Sequence, residues 1–179
     1  MSGAASDRGA SVALVGFMGA GKSRVGMALA HRLRLPFVDT DALIAEQCGS
    51  IERLFADRGE ACFRSIERDV VVDALEQARR FDCVVALGGG AVTSADVRQA
   101  LQWLPCVVWL TAPVQVLYDR AAEGGRPLAA DEQTFRVLLA EREPLYQEVA
   151  SVRIANGPDR TVDAVTGEIV EACGCEASS

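Results

Sequence analysis

Residues 16–23 read GFMGAGKS, and no other stretch of the chain restricts its fold as strongly. The pattern G-x-x-x-x-G-K-[ST] makes a phosphate cradle where a strand delivers the chain into it and a helix carries the chain away. Both neighbours fit: VALVGF (12–17) is an apolar run of strand character, and Lys22 to Leu33 spaces its apolar residues as a helix does. Glycines let backbone N–H groups turn inward around phosphate oxygens, and the helix N-terminus adds its positive dipole. Lys22 then reaches the β and γ oxygens, and the hydroxyl of Ser23 can ligate Mg2+. Average residue usage produces this pattern by accident in roughly one chain of this length in a hundred, before the strand and helix are required. The dinucleotide spacing G-x-G-x-x-G does not fit.

The rest of the chain continues the alternation. A short strand is expected at Pro36–Thr40, then a long helical, charged stretch from Ala42 to Arg80 broken at Gly49 and Gly59. CVVAL (83–87) runs into Gly88, Gly89 and Gly90, and a helix at 95–103 leads to the strand CVVWL (106–110). Further helices are expected at 114–122, 131–149 and 162–173, with a last strand, SVRIA, at 151–155. Strands rich in Val, Ile and Leu alternating with helices indicate an α/β fold with a parallel sheet covered on both faces. In such a fold, ligands bind beyond the carboxyl ends of the strands.

Charge and cysteine usage narrow the function. A net charge of −7 disfavours nucleic acid and anionic membranes as partners, so an anionic ligand needs a local cluster of cations. Of the 18 basic residues 17 are arginines, and the one lysine is Lys22, where a compact ammonium suits the cradle better than a planar fork. Six scattered cysteines without a C-x-x-C pair suggest reduced thiols in a cytoplasm, and the tail pair Cys173 and Cys175 is set aside as a site. His31 is the single histidine, read as a solvated helix position, which argues against a Ser/His/Asp site. No apolar run approaches a membrane span.

FVDTDALI (37–44) sets Asp39 and Asp41 at the end of the second strand. In an extended chain positions i and i+2 share a face, so the carboxylates are expected to point into one space and to need a metal ion, a cation or a substrate proton beside them. Asp39 is the metal-side candidate, since CVVAL ends in glycines with no acidic residue. Asp41 is placed to accept the proton of an attacking hydroxyl. An acidic helix cap is the competing reading. The triple glycine offers bare backbone at the same edge, where a small ligand can approach without meeting Cβ atoms.

GFMGAGKS, DTD (39–41), EACFRSIE (60–67), LGGGAV (87–92), GRPL (125–128) and EREPLYQEVA (141–150), in that order and spacing, resemble the shikimate kinases, and the likeness runs from about Val12 to Val170. The resemblance implies ATP-dependent phosphorylation of the 3-hydroxyl of shikimate with Mg2+, in the pathway to chorismate. It also implies a five-stranded parallel sheet ordered 2-3-1-4-5 in a P-loop kinase fold. Residues 1–179 then form a single kinase domain, with a core at about 12–40 and 83–120, a substrate-binding helical insertion at about 41–80, a lid at about 121–131, and frayed ends at 1–10 and 174–179.

By the same resemblance Asp41, Arg64, Gly88, Gly89, Gly90 and Arg142 hold the substrate, and Arg126 on the lid reaches toward the phosphates. Gly19, Ala20, Gly21, Lys22, Ser23 and Arg24 form the nucleotide turn, and Arg120 and Arg160 flank adenine; Mg2+ falls to Ser23 and Asp39. Two residues depart from the family pattern: Arg24, where a small hydroxyl residue is common, and Ala129, where leucine is. Elementary chemistry agrees with the clamp, because a small carboxylate substrate in an acidic protein calls for paired guanidinium forks. The expected enzyme is a cytoplasmic monomer with catalytic Lys22, Asp41 and Arg126. The alternatives are a kinase of another small hydroxy acid such as gluconate, and a non-catalytic nucleotide-binding sensor.

Overall fold

A computed structural model describes residues 10–123 and 131–175. Five parallel strands, β1 (Val12–Val15), β2 (Phe37–Asp39), β3 (Val84–Ala86), β4 (Cys106–Thr111) and β5 (Val152–Ala155), form one sheet in the order β2-β3-β1-β4-β5. This is the order the resemblance implied. Val12 is in register with Val84 on one side and Cys106 on the other. Burial explains the composition of the strands: β1 and β3 are covered on both faces and read as unbroken apolar runs, whereas the edge strands β2 and β5 are only partly buried.

Seven helices surround the sheet among the described residues: α1 (Lys22–Leu33), α2 (Thr40–Cys48), α3 (Ile51–Arg80), α4 (Ala95–Leu101), α5 (Val114–Glu123), α6 (Glu132–Val149) and α7 (Val162–Cys173). Side-chain caps start α2, α3, α4, α6 and α7, from Asp39, Ser50, Ser94, Asp131 and Thr161. α1 differs. Its cap is Gly21, with φ 85° and no side chain to occupy the first amides.

The stretch 41–80 divides at Gly59, whose φ of 77° interrupts α3. Ile44, Leu54 and Phe63 make a small core of their own, whereas Val71, Ala74, Leu75 and Ala78 join the main core under the sheet. The front of α3 therefore stands out from the sheet as an arm, and its second half anchors that arm.

The cysteine expectation needs correction. Cys106 at the start of β4 and Cys173 at the end of α7 are disulfide-bonded, with Cα atoms 5.9 Å apart. The pair is separated by 67 residues, so no local motif announces it; the fold brings the last turn of α7 back to the amino-terminal edge of the sheet. Cys83 and Cys175 are buried thiols, and Cys48 is exposed.

Candidate active site

On the nucleotide side the backbone does most of the work. The chain leaves β1 through Gly16, Gly19 and Gly21, all at positive φ. A Cβ at Gly19 would run into the backbone carbonyl of Leu117, and one at Gly21 would come within 2.5 Å of Asn156 Nδ2. Asn156 is buried, and its Nδ2 donates to the Ala20 carbonyl at 2.8 Å. Lys22 Nζ donates to the carbonyls of Gly16 and Phe17, at 2.8 and 3.1 Å.

The two arginines assigned to the adenine side converge on the segment around Asn156. Arg120 Nη1 donates to the Asn156 carbonyl at 2.9 Å. Arg160 Nη1 donates to the Ala155 carbonyl at 3.1 Å, and the same guanidinium pairs with Glu168. Arg24 lies exposed on α1. Arg126 and Ala129 lie outside the described residues.

The DTD segment is built differently from the extended pair expected. β2 ends at Asp39 because Asp39 caps α2: its Oδ1 accepts from the N–H groups of Asp41 and Ala42, at 3.0 and 3.2 Å. Asp41 therefore sits in the first turn of a helix, and the two carboxylates do not share a strand face. Asp39 still faces the cradle. Its Oδ2 accepts from Ser23 Oγ at 2.5 Å, so one carboxylate both starts the helix and meets the hydroxyl that closes the P-loop motif. Thr40 between them is fully buried and accepts from the Gly88 N–H at 3.0 Å, tying this segment to the glycine turn.

Asp41 has a different carboxylate neighbour. A Cβ on Gly88 would lie 2.5 Å from Asp41 Oδ1 and 2.8 Å from Glu67 Oε1, so both acids crowd that glycine from α2 and α3. Burial pushes the Glu67 carboxyl above its ordinary range, the Asp41 charge adds to this, and the Arg64 and Arg142 guanidinium groups oppose it. Arg64 Nη1 donates to Glu67 Oε2 at 2.6 Å, three residues along the helix. Gly90 leaves room for that guanidinium, since a Cβ there would collide with Arg64 Nη1.

Arg142 enters from α6. It is 6% exposed, its guanidinium lies 5.5 Å from the centre of the Phe17 ring, and burial lowers its proton affinity. Nη1 makes a long bond of 3.4 Å to the Gly89 carbonyl, and Nε is buried without a hydrogen-bond partner among the described residues. Tyr146, one turn further along α6, donates its O–H to the same carbonyl at 2.5 Å.

At the carboxyl edge of the sheet the fold thus gathers Asp41, Arg64, Gly88, Gly89, Gly90 and Arg142, next to Gly19, Lys22, Ser23 and Asp39. Sequence reasoning assigned no role to Glu67, Thr40, Tyr146 or Asn156. Glu67 could have been found, because it lies three residues after Arg64 on a helix and so faces it. The other three are recognisable only through burial and long-range hydrogen bonds.

The family model for shikimate kinase matches residues 18–174. The chain belongs to the shikimate kinase family. A shikimate kinase of Symbiobacterium thermophilum is 42% identical over 168 residues, covering 90% of this chain and 94% of that protein. The solved shikimate kinase of Acinetobacter baumannii in complex with shikimate superposes with a TM-score of 0.82 and 36% identity, covering 90% of each chain. A gluconokinase from Sinorhizobium meliloti, 18% identical with a TM-score of 0.63 over 92% of this chain, shares the fold. In this member of the family, Arg64, half-buried, and Arg142, buried, stand at the same edge of the sheet as the glycine-rich loop.

Proposed function

We propose that this member of the shikimate kinase family transfers the γ-phosphoryl group of ATP to the 3-hydroxyl of shikimate, giving shikimate 3-phosphate and ADP. The observation that carries the reading is Arg142: a buried guanidinium whose Nε has no hydrogen-bond partner among the described residues, close to a second arginine, beside the phosphate cradle. A buried donor without an acceptor is costly, and a substrate carboxylate supplies the charge and the lone pairs it lacks.

Arg64 and Arg142 hold the carboxylate. Glu67 fixes the Arg64 fork, and the glycine turn lets the ring approach the backbone. Asp41, in the first turn of α2, orients the attacking hydroxyl and takes its proton as the new P–O bond forms and the bond to the ADP oxygen breaks. Lys22 and the amides of 19–23 hold the phosphates and the negative charge that develops on them. The family resemblance assigns the same phosphates to Arg126, outside the described residues, and the adenine side to Arg120 and Arg160.

Ser23 Oγ and Asp39 Oδ2 are hard oxygen donors side by side at the start of α1, the chemistry Mg2+ selects, so these two residues would hold it directly or through its waters. When bound, Mg2+ neutralises phosphate charge. Among the described residues no helix is long and apolar enough to cross a membrane. We read the enzyme as a cytoplasmic monomer on the family resemblance alone, since the Cys106–Cys173 disulfide removes the argument from reduced thiols.

The test is ADP release from MgATP with shikimate, with gluconate and with no acceptor, using Lys22→Ala as the blank. Shikimate-dependent release is expected, and faster release with gluconate would overturn the substrate assignment. No release combined with tight ATP binding would favour a nucleotide sensor. Asp41→Asn should bind ATP normally and turn over at least 1,000-fold more slowly, the scale of losing a positioned base. Wild-type turnover in that variant would remove Asp41 from its role.

A further inference from the structure

The Gly89 carbonyl accepts from two side chains of α6 that are one turn apart, and the two bonds are unequal. The Tyr146 hydroxyl approaches to 2.5 Å, whereas Arg142 Nη1 stands off at 3.4 Å. Tyr146 is fully buried, and its ring stacks on Trp109 of β4 with centroids 5.9 Å apart, which fixes where the hydroxyl can point. Burial holds the phenol protonated far above neutral pH, so it remains a donor throughout the working range. A carbonyl oxygen has two lone pairs, and an arginine in a dry pocket competes strongly for them.

We propose that Tyr146 is a positioning residue for the carboxylate of the substrate, acting by taking the short bond to the Gly89 carbonyl so that Arg142 is held there only at 3.4 Å. With the short bond taken by the phenol, whose oxygen also meets the Arg142 guanidinium directly, that guanidinium is held weakly at Gly89, and its Nε edge, without a hydrogen-bond partner among the described residues, stays available to an incoming acid. Without the phenol, Arg142 settles onto Gly89, and binding a carboxylate requires breaking that bond first. The same bond also pins the middle of the glycine turn, which Thr40 holds from the other side at Gly88. This inference rests on the proposed shikimate kinase activity.

Tyr146→Phe keeps the ring and its packing and removes only the donor. The expected result is a KM for shikimate raised about tenfold, the scale of one charge-assisted hydrogen bond, with kcat and the KM for ATP unchanged. Three readouts separate positioning from general loosening. First, the wild-type to variant ratio should fall to about one for the carboxamide analogue of shikimate, which has no charge for Arg142 to grip. Second, Arg142→Lys and the double variant Arg142→Lys/Tyr146→Phe should have the same KM for shikimate, because the tyrosine acts through the arginine. Third, circular dichroism and thermal melting should show Tyr146→Phe folded. An unchanged KM, an equal loss on the carboxamide, additive effects in the double variant, or a variant too unstable to fold alongside an additive Arg142→Lys/Tyr146→Ser pair would overturn the proposal. Wild-type protein inert toward shikimate would overturn the activity and this inference together. An active wild type with an indifferent Tyr146→Phe would overturn the inference alone.

Discussion

The two halves of the proposed site, a nucleotide half and an acid half, would solve the same problem, holding an anion in a protein of net charge −7, by opposite means. The nucleotide half uses main chain: three glycines at positive φ, a helix start without a side-chain cap, and one lysine folded against the loop carbonyls. The acid half uses side chains drawn from α2, α3 and α6, with two arginines and two carboxylates packed around a glycine turn. Main-chain amides carry no net charge and each costs less to desolvate than an ion, so the first half tolerates an open, contiguous design. Guanidinium and carboxylate groups are expensive to desolvate, so the second half is satisfied internally except where the substrate is to supply a partner.

Among variants that separate the two halves, the largest expected effect breaks the nucleotide half without touching a charge. Gly19→Ala places a methyl against the Leu117 carbonyl, a backbone atom that no side-chain rotation can move aside, at a φ of 79° that alanine disfavours. The KM for ATP should rise about 100-fold or more, the scale of roughly 3 kcal/mol of strain and clash. Shikimate binding, followed by its own titration, should change little. Equal losses for both ligands would show that the halves are one mechanical unit rather than two designs.

Next comes the acid half. Arg142→Ala should raise the KM for shikimate by roughly 30-fold or more with the KM for ATP unchanged, from the loss of a charge-assisted pair in a buried site. Arg142→Lys should recover only part of this, because an ammonium cannot reproduce the planar fork. Full recovery by lysine would mean that charge alone, and not fork geometry, holds the acid.

This contrast also decides what was legible in the sequence. Main-chain sites are written locally, since the glycines must fall at fixed offsets, and GFMGAGKS declares its fold and ligand within eight residues. The sheet order followed from the family resemblance and is the order observed. Side-chain sites are assembled over distance. Arg64 and Arg142 were named through the family resemblance, with which the chemistry of an acidic substrate agrees, but the bond from Tyr146 to Gly89 spans 57 residues and that from Asn156 to Ala20 spans 136. The Asp39 and Asp41 geometry was misread for a local reason: the capping role of Asp39 ends the strand one residue before Thr40, and periodicity alone does not show where a cap takes over.

The Cys106–Cys173 disulfide sits at the opposite, amino-terminal edge and supplies a control on both halves. Cross-linking positions 67 apart removes about 4 kcal/mol of chain entropy from the unfolded state. Cys173→Ser, or reduction, should therefore lower the melting temperature by about 10 °C. Neither KM should change by more than about twofold, because the bond touches neither ligand. A selective rise in the KM for ATP would instead show that α7, which packs on α1, transmits strain to the cradle.

The smallest effect concerns what the acid half costs in stability. Glu67 is 4% exposed, and its carboxyl is held above the ordinary value because burial outweighs the 2.6 Å contact with Arg64. A carboxyl whose folded-state affinity for protons exceeds its unfolded one stabilises the fold fully below the unfolded pKa of about 4.5 and loses that contribution as pH rises through the folded value. Glu67→Gln approximates the neutral form and cannot lose it. The difference in melting temperature, wild type minus Glu67→Gln, should thus become more negative as pH rises from about 4.5 toward neutrality. A difference that becomes more positive would mean that the pair with Arg64 outweighs its desolvation, and that the acid half, like the cradle, is assembled at little cost to the fold.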